Sequence, residues 1–99
     1  MRFDKIYNEK KRLNDYYYRS NKEEMEFSDF LSIDKKLRKN LKIKRTKKIK
    51  GIYSIIWKYS VLSMCFMLVF DESYGVFLTA EKEEDEGMLD IIIEKLSEL

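Results

Sequence analysis

Residues 51–80 read GIYSIIWKYSVLSMCFMLVFDESYGVFLTA and hold most of the aliphatic and aromatic bulk of the 99-residue chain. Charged residues dominate the segments on either side. In the first ten positions many apolar and polar side chains alternate, which is the period of a strand with one buried face. That face consists of Tyr53, Ile55, Trp57 and Tyr59.

The rest of this stretch, and the segment before it, predict further strands. Residues 61–70 have no polar face beyond Ser63, so we expect a strand that is covered on both sides. Residues 71–75 (DESYG) have hairpin-loop composition, and residues 76–80 (VFLTA) return as the partner strand. Upstream, apolar residues alternate with lysine over 41–50, with 46–48 as a turn, which is typical of a guarded sheet edge. Three or four antiparallel strands are therefore predicted.

The N-terminal region has the pattern of helices. Residues 2–19 place Phe3, Ile6, Leu13 and Tyr17 on one helical stripe, which would dock on its own domain or form half of a dimer contact. A break follows, where Asn21 and Glu24 match a capping box. The short helix after it would turn Met25, Phe27, Phe30 and Leu31 partly inward.

The C-terminal region predicts one more helix. Asp85 and Glu86 lie near its start, where the helix dipole favours acidic residues. A continuous apolar face follows and should pack on the sheet, formed by Leu89, Ile92, Ile93, Leu96 and Leu99.

Composition limits the class of protein. Ninety-nine residues provide one core, and an apolar fraction of 44% is enough to pack it. The single cysteine, Cys65, excludes an intramolecular disulfide and is expected to be a buried thiol. The N-terminus lacks the pattern of a secretory signal, so we expect an intracellular protein. Residues 52–70 are long enough to span a bilayer, but Lys58 and several polar side chains disfavour a membrane span.

The residue types of common active sites are absent from the sequence. Without histidine, the usual general base at neutral pH is missing, and Cys65 has no activating partner. The glycines stand singly, unlike those of a phosphate-binding loop. The acidic run 81–86 (EKEEDE) lacks the alternating ligands and central glycine of a calcium loop. We therefore expect a non-enzymatic protein with no cofactor and no metal site.

Charge is strongly segregated along the sequence, although the net charge is only +2. Residues 71–99 hold ten acidic residues against two lysines, whereas residues 35–50 hold ten basic residues and no acid. This basic segment consists of Lys35, Lys36, Arg38, Lys39, Lys42, Lys44, Arg45, Lys47, Lys48 and Lys50. Such density attracts phosphates with a salt-dependent affinity but does not read a base sequence. A surface neutralised by acidic residues, or a contact with a protein or membrane surface, remains an alternative.

Three consecutive tyrosines form a second candidate binding feature. On a helix, the rings of Tyr16, Tyr17 and Tyr18 would spread over about 200°, so at least one would be exposed. An exposed ring is either a boundary residue of the helix or a platform for stacking bases or anchoring a partner.

The sequence resembles one known group of proteins over its whole length. The start RFDKIYNEKKRLNDYYYR, the block KKLRKNLKIKRTKKIK, and a content rich in Lys, Glu, Tyr and Ile without His, Pro or Gln carry the resemblance. The proteins that the sequence resembles are small proteins of unassigned role from filamentous and rod-shaped archaeal viruses, the lipothrixvirus and rudivirus group. The resemblance implies a thermostable viral protein in the host cytoplasm that binds nucleic acid or blocks host defence.

Together these observations predict an α+β domain with N-terminal helices, an antiparallel sheet of three to four strands and a C-terminal helix packed on it. A homodimer is favoured over a monomer, because so small a domain gains stability by burying exposed aromatic rings. One functional hypothesis is binding of DNA or RNA through the basic segment. The other is a protein-interaction module, such as an inhibitor of a host factor, that uses the acidic segment and exposed tyrosines.

Overall fold

The alternation in residues 51–80 produces three antiparallel strands in the computed structural model, which describes residues 1–20 and 27–99. In chain order the elements are β1 (Phe3–Asn8), β2 (Leu13–Tyr18), α1 (Phe27–Lys35), a π-helical turn (Lys36–Asn40), β3 (Lys44–Lys50), β4 (Ser54–Val61), β5 (Met64–Asp71), β6 (Gly75–Ala80), a 3₁₀ turn (Glu83–Asp85) and α2 (Glu86–Ser97). The six strands form one antiparallel sheet in the order β1-β2-β6-β5-β4-β3. The α+β class and the C-terminal helix are confirmed, but the strand number was underestimated.

The central meander follows the prediction except at one turn. The loop at 71–75 connects β5 to β6 as expected. The continuous strand predicted over 61–70 is instead broken by a two-residue hairpin turn, at which Val61 pairs with Met64. Leu62 and Ser63 have φ values of 49° and 68°, the conformation that matches the twist of the flanking strands. Neither residue is the Asn or Gly that marks such a turn, so composition gave no signal.

The helix predicted over 2–19 is wrong, because this segment is the hairpin β1–β2. The side-chain oxygen of Asn8 accepts hydrogen bonds from the backbone N–H groups of Lys10 (3.1 Å) and Lys11 (3.3 Å) and so fixes the turn. Tyrosines favour a pleated surface, and the pairing of β2 with β6 places Tyr16 beside Leu78 and Tyr17 beside Phe77. The capping box at Asn21–Glu24 and the position of Met25 lie outside the described residues.

The lysine-rich strand lies at a sheet edge, as predicted, although its boundaries differ. The turn expected at 46–48 is a bulge within β3, where the register shifts between Arg45 and Lys47. β3 pairs with β4 on one side and with no described strand on the other. Charged side chains and a bulge on such a strand discourage pairing with another chain.

Both described helices pack on the same face of the sheet, which we call the helix-covered face. Phe30 of α1 lies against Trp57 (ring centroids 4.7 Å apart), and Tyr16 of β2 donates a hydrogen bond to Asp90 of α2. One cluster joins the buried apolar residues of both helices to this face, including Leu68, Leu78 and Leu89. The opposite side, the open face, has no helix of the described ranges packed on it. No helix in these ranges is long and apolar enough to cross a membrane.

Candidate nucleic-acid interface

The basic segment runs from the last residue of α1, through the π-helical turn and a short loop, into the edge strand β3. Two apolar side chains anchor it, because Leu37 is fully buried and Ile43 is 6% exposed. The backbone N–H of Ile43 donates to the Leu37 carbonyl (2.9 Å), which closes the loop. Lys42, between these anchors, adopts a left-handed backbone (φ 58°). The anchors turn inward and leave most of the cations outside.

Asp34, on the inner side of α1, engages both arginines of the segment. Its carboxylate is 3% exposed and accepts hydrogen bonds from Arg38 (3.0 Å), Arg45 (3.0 Å) and the buried hydroxyl of Tyr59 (2.7 Å). Burial alone would raise the pKa of Asp34, but these hydrogen bonds and the two guanidinium charges outweigh it and hold the pKa below its usual range. Arg38 and Arg45 are therefore structural cations rather than free ligands for phosphate.

The same network affects its hydrogen-bonding partners. Burial, followed by the hydrogen bond to Asp34, raises the pKa of Tyr59 far above its usual value, so its hydroxyl stays protonated as a donor. Arg45 also lies over the Trp57 ring, 4.7 Å from the centroid, and Lys48 lies 4.5 Å from the same centroid. The indole thus fixes one guanidinium and one ammonium group at the sheet edge.

The eight lysines of the segment have no carboxylate partner among residues 1–20 and 27–99. Lys36 lies 3.4 Å from the Ser32 hydroxyl, and Lys48 lies on Trp57. The other six are exposed: Lys35, Lys39, Lys42, Lys44, Lys47 and Lys50. Within β3 the lysines occupy both sides of the strand, since Lys44 and Lys47 lie on the open face and Lys48 and Lys50 on the other. The edge therefore presents positive charge over a strand length of about 20 Å.

The acidic C-terminal part of the chain does not neutralise this edge. Glu81 pairs with Lys58 of β4 at 2.7 Å, and Asp85 accepts the backbone N–H of Cys65 (3.2 Å). Glu86 accepts the backbone N–H of Asn14 in β2 (3.1 Å). Three of the five carboxylates of 81–86 thus serve contacts with β2, β4 and β5, and Glu84 lies 4.0 Å from Lys82 within the run itself. The interpretation in which this run masks the basic segment within one chain loses its support.

Tyr16, Tyr17 and Tyr18 lie on a strand rather than on the expected helix, so their rings alternate between the two faces of the sheet instead of spreading around a helix. Tyr16 is 3% exposed on the helix-covered face, and burial followed by its hydrogen bond to Asp90 raises the pKa of its hydroxyl. Tyr18 shares that face, whereas Tyr17 packs on Phe77 on the open face, with 4.9 Å between ring centroids. Burial raises the pKa of Tyr17 as well. The strand β2 lies at the opposite end of the sheet from β3.

Two further residues differ from the sequence interpretation. Cys65 is only partly buried and belongs to the open face rather than to the core. Asp34 was not identified as a site residue, although its spacing of four from Arg38 on a helix is a recognisable ion-pair signal. Its contacts with Arg45 and Tyr59 join distant segments and could be found only from the fold.

Neither a protein-family model, nor a curated protein, nor a solved structure matches this chain.

Proposed function

We propose that this protein is a non-enzymatic nucleic-acid-binding protein that contacts the phosphate backbone with the lysine edge. The lysine edge comprises Lys35, Lys39, Lys42, Lys44, Lys47, Lys48 and Lys50. The observation that carries the proposal is the absence of carboxylate partners for these ammonium groups within the described residues, on a strand with a free edge. An intracellular viral setting would follow from the resemblance of the sequence.

The chemistry of the edge favours the backbone over the bases. Lysine is a mobile point charge with three donors, which suits phosphate oxygens but gives no bidentate recognition of a base edge. The two arginines that could provide such recognition are engaged by Asp34. A row of about 20 Å is long enough to contact several successive phosphates of one strand. Binding should therefore be tolerant of sequence and sensitive to salt.

The test compares two triple variants of equal charge. Lys39→Gln/Lys42→Gln/Lys50→Gln removes three cations from the lysine edge, and Lys10→Gln/Lys82→Gln/Lys95→Gln removes three from elsewhere. Fluorescence anisotropy with single- and double-stranded DNA and RNA, repeated from about 20 to 200 mM salt, gives the affinity and its salt slope. On a duplex the slope should fall by about 0.9 for each phosphate that the variant no longer neutralises.

We expect the edge variant to bind more weakly with a shallower slope, while the control variant stays close to the wild type. No binding of the wild type at low salt to any of the four nucleic acids would refute the proposal. So would an equal loss in both variants, because that result would reflect net charge rather than a site.

A second candidate function, recognition of a protein partner, is favoured by exposed aromatic side chains near a surface cavity. Tyr7 and Tyr74 are 57% and 70% exposed and line a cavity of about 630 Å³ together with Asp71 and Phe77. A partner side chain would insert between these rings. A protein that stays bound after nuclease treatment, and that the Tyr74→Ala variant no longer retains, would favour this function over the first.

A further inference from the structure

The loop between β3 and β4 carries an exposed aromatic ring at the end of the lysine edge. Residues 51–53 form this loop, directly after Lys50, the last residue of β3. Ile52 is 90% exposed and Tyr53 is 70% exposed, although both are large hydrophobic side chains. Lysine contacts with phosphate do not require such side chains beside them, so these two residues indicate an additional kind of contact.

The backbone of this loop is held in place, although its side chains are exposed. The Gly51 N–H donates to the Ser54 carbonyl (2.7 Å), which closes the loop on itself. The Tyr53 carbonyl accepts a hydrogen bond from the Glu72 N–H (2.9 Å), which ties the loop to the turn between β5 and β6. A tyrosine side chain has only two torsion angles, so a contact through the Tyr53 ring costs little conformational entropy.

A recess of about 280 Å³ is lined by this loop and by the adjoining ends of β4 and β5. Its floor includes Ile55 and Phe70, which pair with each other and pack against the main apolar cluster. Tyr53 lines the recess, and so does Lys50, which pairs with Ile55. The recess thus combines an apolar floor, an aromatic ring and an ammonium group.

The charges around the recess lie on opposite sides of β4. Lys50 lines it from β3, and Lys48 follows two residues away on the same face of the sheet. Glu72, which comes directly after β5, is the one carboxylate among the described residues that line the recess. Because β4 lies between β3 and β5, a phosphate is attracted to the Lys50 side and repelled from the Glu72 side. A nucleotide would therefore enter in one orientation.

We infer, on the basis of the proposed function, that this recess accepts one unpaired base of a single-stranded nucleic acid. The base stacks on the Tyr53 ring, while its phosphate contacts Lys50 and the lysine edge holds the rest of the backbone. A base in a duplex is stacked and paired with its neighbours and cannot reach the ring, so the recess selects single strands. Every base has a face that can stack, so the contact adds affinity without reading a sequence.

The experiment uses the full-length protein and three probes of equal length, made of whichever of DNA and RNA the wild type binds more tightly. They are a single strand, the duplex of the same sequence, and an abasic single strand that keeps the phosphates but has no bases. Fluorescence anisotropy at about 50 mM salt gives the affinity for each probe. We expect Tyr53→Ala to weaken binding of the normal single strand by about 5- to 150-fold, the factor that stacking of one base contributes.

The other two probes separate stacking from charge. Tyr53→Ala should leave the affinities for the duplex and for the abasic strand close to those of the wild type. The salt slope on the normal single strand should not change, because no cation is removed.

Two variants provide the controls, and circular dichroism checks that each is folded. Tyr53→Phe retains the ring and should keep the affinity of the wild type for the normal single strand. Tyr74→Ala removes a tyrosine that is equally exposed (70%) on the turn between β5 and β6, and should leave all three affinities unchanged.

The results distinguish a failure of this inference from a failure of the proposed function. An equal affinity of the wild type for the normal and the abasic single strand would overturn the stacking contact but not the lysine edge. So would no loss in Tyr53→Ala, the same loss in Tyr74→Ala, or an equal loss for all three probes. If the wild type bound none of the probes, the proposed function itself would be refuted, and the inference with it.

Discussion

Asp34→Asn removes one negative charge from the network that joins α1, β3 and β4, while the shape of the side chain is kept. The carboxylate is 3% exposed and accepts hydrogen bonds from Arg38, Arg45 and Tyr59. Removing one partner of a buried ion pair costs about 3–5 kcal/mol, because the remaining charge is left uncompensated. The Arg38 and Arg45 side chains are 37% and 22% exposed, so water partly compensates them. We therefore expect a loss near the lower limit, about 3 kcal/mol.

Urea denaturation followed by circular dichroism measures this loss as a change in midpoint at constant slope. In a domain of this size each kcal/mol corresponds to about 4–8 °C in Tm, so Tm should fall by about 12–24 °C. Asp4→Asn is the matched control, since Asp4 pairs with Arg19 at 3.5 Å on an exposed surface and should cost less than about 1 kcal/mol. A loss below about 1 kcal/mol in Asp34→Asn would refute the role given to this network.

The dependence of the free energy of unfolding on pH, at acidic pH, gives a second measure of the contribution of the Asp34 carboxylate. The pKa of Asp34 is lower in the folded protein than its value of about 3.9 in the unfolded chain. As the pH falls, Asp34 is therefore protonated first in the unfolded chain, and the folded state loses stability relative to it. The contribution of Asp34 is fully present above about pH 5 and is lost as the pH falls through the folded pKa. The stability difference between wild type and Asp34→Asn should therefore shrink at low pH. An equal difference at pH 7 and pH 3 would contradict this explanation.

Two further substitutions test separate parts of the sheet. Tyr16→Phe removes the hydroxyl bonded to Asp90 and should lower the free energy of unfolding, measured by thermal denaturation, by about 1–2 kcal/mol. Tyr18→Phe is the control, because no hydrogen bond of the Tyr18 hydroxyl is found in the described ranges, and it should be near neutral. Equal effects of the two substitutions would contradict the role given to the Tyr16 hydroxyl. Leu62→Asn combined with Ser63→Gly introduces the residues that are favoured in a turn with two positive φ values. The double variant should therefore raise the free energy of unfolding by roughly 1–2 kcal/mol. A lower Tm than that of the wild type would contradict the turn conformation described for these two residues.

The parts of the fold that the sequence predicts are those in which the spacing of the apolar residues matches one type of secondary structure and one pattern of burial. Ile55, Trp57 and Tyr59 of the predicted strand face lie together on β4, and the C-terminal helix buries Leu89, Ile92 and Leu96 of its predicted apolar face. Tyr53 and Leu99, at the ends of these two predicted faces, lie outside the elements and are exposed. The N-terminal hairpin was not predicted, because a stripe of four apolar residues fits a helix as well as two short strands. Its strand identity depends on pairing with β6, which is distant in sequence.

The candidate site was predictable in composition but not in organisation. The ten cations are obvious in the sequence, yet nothing local indicates that Arg38 and Arg45 converge on one buried carboxylate while the lysines remain outside. The expected directions of the Tyr16–Tyr18 rings were wrong for the same reason as the N-terminal helix, since these directions follow from strand geometry. The open face could not be foreseen, because it exists only once both helices share the other side.

The pairing of β2 with β6 has a consequence for how the sheet assembles. It joins residues about sixty positions apart, whereas the hairpins on either side of β5 close loops of two and three residues. Each doubling of loop length costs about 0.6 kcal/mol, so this closure costs about 3 kcal/mol more chain entropy than a tight hairpin. Only three residue pairs form that ladder, from Asp15–Thr79 to Tyr17–Phe77. Side chains of α2 supplement this short ladder, since Asp90 accepts a hydrogen bond from the Tyr16 hydroxyl and Glu86 accepts one from the backbone N–H of Asn14.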